Sequence, residues 1–162
     1  MIRSSAADRI RGVAAVLIVA YACVPSAASA ISCTVSTLPA NFGVYNPVLP
    51  TAATTTGEVD VACTCSGLEC VAFGYRIEIA AGNSGNVAVR EMQTGNARLR
   101  YNLYSDASFT TVWGTGSAGL SMIYLVPLFG SKQAAPVYAR MPAGQAAVVG
   151  TYSDTPMVTI TY

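Results

Sequence analysis

Histidine is absent from all 162 residues. That removes the commonest general base, and with it His-activated Ser or Cys nucleophiles and His-containing metal sites. Charge is also scarce: 10% of side chains are ionisable in the Asp/Glu/Lys/Arg sense, with a net charge of +1. Such a balance supplies no basic field for nucleic acid and no strong steering of any charged partner. The apolar run Val13–Ala22 is ten residues long, about half the roughly 20 that a membrane-spanning helix needs. No segment carries a sustained helical period. The glycine-rich stretch Gly114–Gly119 is not followed by Lys-Ser/Thr, so it lacks the residues of a phosphate-binding loop.

What is present begins with a leader. Arg3, Arg9 and Arg11 precede the apolar run, and Pro25 and the small residues Ala28-Ser29-Ala30 follow it. This order predicts a secretory signal peptide over residues 1–30, cleaved after Ala30, and a single mature domain over 31–162. An inner-membrane anchor and a lipidated Cys23 are the alternatives. Removing three of the nine basic and one of the eight acidic residues leaves six against seven, a net charge of about −1.

Four cysteines remain after the leader: Cys33, Cys63, Cys65 and Cys70. An even count in a small exported domain reads as a disulfide framework. In "EVDVACTC" the strand alternation puts Val59, Val61, Cys63 and Cys65 on one face, and Cys33 shares a face with Val35. The expected pairs are Cys33–Cys63, tying the first two strands, and Cys65–Cys70, closing a short loop. Four thiolates on a metal are the alternative, disfavoured by the spacing and by an oxidising compartment; no metal and no cofactor is expected.

Short alternating segments fill the mature chain: Ser32–Leu38, Gly57–Cys65, Phe73–Ala81, Val87–Met92, Ala97–Asp106, Phe109–Gly114, Leu120–Phe129, Ala135–Met141 and Pro156–Tyr162. Thr51–Thr56 reads as a linker. Leu120–Phe129 is apolar on both faces, as a central or intersheet strand would be. β-Branched and aromatic residues dominate these runs, and turn residues separate them. An all-β antiparallel sandwich follows. The last run puts Val158, Ile160 and Tyr162 on one face with no further strand after it, so the sheet is expected to lack a covering neighbour.

Chemistry-bearing constellations are few. Glu58 and Asp60 share a strand face and have the form of a carboxylate pair, but alternating charge on a solvent face explains them more simply. Trp113 is expected in core or edge packing. Asp154, in a turn after Ser153, is expected to bond nearby backbone amides. Ser117 and Ser121 have no visible base. No catalytic residues are assigned, and the protein is not expected to be an enzyme.

The ordered segments "CTVSTLPANFGVYNP", "TGEVDVACTC", "YRIEIAAGNSGN", "LRYNLYSD" and "GTYSDTPMVTITY" together resemble the spore coat protein U domain family, which includes subunits of archaic chaperone–usher pili. The resemblance implies an immunoglobulin-like sandwich lacking its final strand. A periplasmic chaperone would supply that strand in transit, and another pilin subunit would replace it at an outer-membrane usher. Partners so implied are the chaperone, the usher, other pilin subunits and an abiotic or host surface, with no nucleic acid. The expected location is the periplasm in transit and then the cell surface. The acceptor groove is expected beside the last strand, lined by Val158, Ile160 and Tyr162 and, across from them, Val35. Family subunits carry a donor segment before the first cysteine, whereas cleavage after Ala30 would leave only Ile31 and Ser32 there. The chain is thus expected to accept a strand without giving one, at a fibre terminus. A self-contained secreted coat or glycan-binding module is the alternative.

Overall fold

A computed structural model describes residues 30–66, 72–125 and 132–162. These form eight strands: β1 (Ala30–Leu38), β2 (Ala53–Ser66), β3 (Phe73–Ile79), β4 (Arg90–Thr94), β5 (Ala97–Tyr104), β6 (Leu120–Tyr124), β7 (Gln133–Met141) and β8 (Val158–Thr161). All pairings are antiparallel. Among the described residues one sheet runs β1-β2-β7-β5-β4 and the other β6-β3-β8. The all-β sandwich expected from alternation is the observed fold.

Alternation explains the packing directly. Val59, Val61 and Cys63 of β2, Leu99, Tyr101 and Leu103 of β5, and Ala135, Val137, Ala139 and Met141 of β7 point inward and are buried. They meet Tyr75, Ile77 and Ile79 from β3. Burying a Val, Leu or Ile side chain contributes about 1.5–3 kcal/mol, so these rows hold the two sheets together. Trp113, fully buried, donates its indole N–H to the Ile77 carbonyl at 2.9 Å.

Two segments differ from expectation. The Thr-rich stretch, read as a linker, lies within β2 from Ala53, where Thr54, Thr55 and Thr56 pair with Arg140, Ala139 and Tyr138; β-branched residues suit a pleated strand. The run Phe109–Gly114 makes no strand, only a bridge between Val112 and Tyr104. It turns on Asp106, whose carboxylate accepts from Ser108 Oγ and from the amides of Thr110 and Thr111. The run Leu120–Phe129, expected as a central or intersheet strand, contributes β6, which stands at the end of its sheet as described; residues 126–131 lie outside the described residues.

A buried cation organises the far side of the sandwich. Arg90, at the start of β4, has no exposed surface. Its guanidinium donates to the carbonyls of Ala80 (3.0 Å), Ile79 (2.7 Å) and Trp113 (2.8 Å) and to Asn102 Oδ1 (2.7 Å). Burial pulls its pKa below the ordinary arginine value, yet the four acceptors keep the charged form satisfied. Asn102 in turn donates to the Ala88 carbonyl at 2.8 Å. One side chain thus clasps the end of β3, the β5 strand and the loop carrying Trp113.

A candidate strand-acceptor groove

Among the described residues each sheet ends in two edge strands, β1 and β4 in one and β6 and β8 in the other, and β1 and β8 lie on the side where the core cover runs out. Their inner faces are unequal to those one strand further in. Val61 on β2 is fully buried, whereas its cross-strand partner Val35 on β1 is 39% exposed. Thr37, opposite the buried Val59, is exposed as well. Neighbouring residues of one face should share one environment. Here the cover runs out before β1.

The gap has a shape. A cavity of about 330 Å³ is walled by Thr37 and Leu38 on the β1 side and by Val158 on the β8 side, over Val59, Ile79, Leu103 and Val137. Of the four residues expected to line the groove, Val158 is in this wall. Ile160 packs against the core opposite Ile77. Tyr162, 55% exposed, sets its ring edge-on to Phe73 at 6.4 Å, and Val35 lies further along β1. Thr37, Leu38 and the floor residues were not expected there. Ile79, Leu103 and Val137 were legible only as core, because alternation gives a face but not which stretch of it stays uncovered.

One end of the cavity is fixed by Asp154, which also lines it. Its Oδ1 accepts from the amides of Asn83 and Thr155, each at 2.8 Å, and its Oδ2 accepts from the Tyr101 phenol at 2.8 Å. The turn residue expected to bond nearby amides does so at Thr155 and also ties in two distant segments, at Asn83 and Tyr101. Gly82, at φ +69°, makes room for it: a Cβ there would collide with the carboxylate. Burial and the adjacent carboxylate push the Tyr101 phenol well above its ordinary value. Just before Asp154, Ser153 exchanges two backbone hydrogen bonds with Gln93 of β4, at 2.9 and 3.1 Å, so the chain enters β8 from an anchored position.

The edge strand β1 is held by a disulfide. Cys33 and Cys63 are directly opposed and bonded, with Cα atoms 4.0 Å apart. In the chain-entropy picture closing a loop of this length stabilises by roughly 3–4 kcal/mol. Cys65 is also disulfide-bonded; its expected partner, Cys70, lies outside the described residues, as do Cys23 and most of the apolar stretch Tyr124–Gly130. Asp60 Oδ2 is 2.6 Å from Lys132 Nζ. Among the described residues no group of three or more His, Cys, Asp or Glu is placed to hold a metal ion.

A family profile described as Spore Coat Protein U domain matches residues 19–161. The chain belongs to that family. Protein U of Myxococcus xanthus is 34% identical over 130 residues, covering 75% of this chain and 70% of that protein. Among solved structures, the domain resembles a chain in the CsuC–CsuE chaperone–tip adhesion subunit pre-assembly complex of archaic chaperone–usher Csu pili from Acinetobacter baumannii. The TM-score is 0.51 at 20% identity, over 82% of this chain and 40% of that one. That likeness establishes a shared immunoglobulin-like fold, and the spore coat protein U domain chain spans less than half of its structural neighbour.

Proposed function

We propose that this chain is an exported, non-catalytic pilus or coat subunit that completes its sandwich with an extended segment from another polypeptide. The reading rests on one observation: the inner face of β1 is exposed beside the free edge of β8. An extended strand laid between them would pair with backbone groups on both sides. Three or four apolar side chains over the groove floor would contribute roughly 5–10 kcal/mol, and each ladder hydrogen bond about 0.5–1.5 kcal/mol. Domains are stable by only about 5–15 kcal/mol, so the borrowed strand would account for much of the folded state.

In this reading residues 1–30 direct export and are removed after Ala30. A periplasmic chaperone shields the groove in transit, an outer-membrane usher passes the subunit on, and a neighbouring subunit then fills the groove. After such cleavage β1 keeps residues 31–38, in register with β2 from Ile31↔Cys65 to Leu38↔Glu58. That leaves little chain after cleavage to donate elsewhere, which favours a terminal position in a fibre, facing an abiotic or host surface.

Thermal unfolding of residues 31–162 alone, and with an apolar strand fused by a flexible linker after Tyr162, tests the proposal. The fusion is expected to unfold at least 10 °C higher, since about 1 kcal/mol shifts a domain of this size by a few degrees. An unchanged midpoint would refute it.

A further inference from the structure

We propose that the outer face of the five-stranded sheet binds an acidic polysaccharide, taking its carboxylates on arginines and its sugar rings on tyrosines. Six of the basic residues lie in the mature domain. Arg76 donates to the carbonyls of Gly116 and Gly119 at 2.6 and 3.3 Å, Arg90 is buried, and Lys132 pairs with Asp60 at 2.6 Å. The other three, Arg98, Arg100 and Arg140, are all exposed, and Arg98 donates to the nearby carbonyls of Gly95 and Ala97 at 3.1 and 3.2 Å. Strand alternation turns all three to one side, since the buried Leu99 and Tyr101 flank Arg100, and Ala139 and Met141 flank Arg140. A net charge of about −1 thus conceals a concentrated positive face.

Of the acidic residues on this face, Glu58 and Asp60 pair with β7 at Pro136 and Ala134, four and six residues from Arg140, and Asp60 is taken by Lys132. Glu91 approaches Arg100 Nε at 3.8 Å, with the arginine side chain 70% exposed, and an ion pair in such a setting is weak. Two adjoining hollows of about 440 and 270 Å³ share Arg100 and Pro142, the first reaching Arg98 and the second Tyr104 and Arg140. The backbone beneath is braced: Gln145 accepts from the Arg100 amide at 2.7 Å and donates to its carbonyl at 2.9 Å.

Aromatic rings extend the furrow. Tyr104 and Tyr138 are cross-strand partners, both half-buried. Phe109 sits edge-to-face with Tyr104 at 5.5 Å, and Arg140 lies 5.8 Å over its ring. Phe109 holds φ at 57°, a left-handed conformation uncommon for a bulky side chain, so the turn fixes the ring there against local preference.

From Arg98 to Tyr104 the strand covers about 20 Å. A glycan with one carboxylate per ring offers, beside each charge, an apolar ring face for an aromatic side chain. Guanidinium forks match carboxylates two bonds at a time.

The test passes the intact exported chain, disulfides formed, over immobilised polygalacturonate, with dextran and a single-stranded DNA oligonucleotide as comparators. Retention on polygalacturonate, weak retention on the other two and release by added salt are expected. R100Q and R140Q should each weaken retention about tenfold, and Y138A about threefold, with unfolding midpoints unchanged. R100K/R140K, which keep the charge and lose the forks, should fall between wild type and the Gln variants. No retention, equal or tighter binding to the oligonucleotide, binding to dextran that survives R98Q/R100Q/R140Q, or full retention by the Lys variants would overturn the proposal.

Discussion

The two sides of this sandwich are finished differently. On the β4–β5 side, Arg90 fastens β3, β5 and the Trp113 loop with four hydrogen bonds, and Gln93 and Ser153 bridge the β4 edge. On the β1–β8 side the inner face of β1 is exposed and β8 has no outer neighbour among the described residues. The same kind of sheet thus ends once in a polar clasp and once in an apolar gap. Stability is concentrated where the chain satisfies its own groups, and capacity for a partner is left where it does not.

Removing the clasp should have the largest effect. Arg90→Ala would strand the Ile79, Ala80 and Trp113 carbonyls and Asn102 Oδ1. The expected loss is about 3–5 kcal/mol in urea unfolding; a loss under about 1 kcal/mol would remove the contrast. Next comes the crosslink: Cys33→Ala with Cys63→Ala should cost roughly 3 kcal/mol and loosen the open side, with β1 amides exchanging faster and β4–β5 amides little changed.

Tyr101→Phe should have a smaller effect, about 1–2 kcal/mol, because it removes one hydrogen bond to Asp154. It also carries a pH signature. The folded phenol titrates above its ordinary value of 10.0, so the neutral form is favoured in the folded state. Its stabilisation is complete below about pH 10, the value for the unfolded chain, and declines as the pH rises from there towards the folded value. Wild type should lose stability across that alkaline window, and Tyr101→Phe should flatten the slope in pH-dependent unfolding. The smallest effect on the isolated domain is expected from Val158→Thr, under about 1 kcal/mol at a half-exposed position. The same change in a strand-fused chain should cost more, because there the side chain becomes buried.

How much of this could be read from the sequence follows from what strand alternation encodes. Ile77, Ile79, Leu99 and Leu103 announced their inward face, and Cys33 and Cys63 announced theirs, so the sheets and the first disulfide were legible. Arg90 was not. It sits beside Glu91 like any solvent-facing charge, and only the tertiary fold brings four acceptors around it. Leu38 and Thr37 were missed at the groove because a period of two says which way a residue points, not whether anything covers it. Arg140 stands 40 residues beyond Arg100 in the chain, so the basic face became visible only when β5 and β7 paired. Net charge, taken over the whole chain, averaged it away.

Amide hydrogen exchange on the isolated mature domain, repeated after addition of an apolar strand peptide, bears on the central claim most directly. The account predicts fast exchange along β8 and the outer edge of β1, slow exchange in β4 and β5, and marked slowing of β8 and β1 when the peptide binds. Uniform protection of all four strands, unaltered by any added strand, would contradict it.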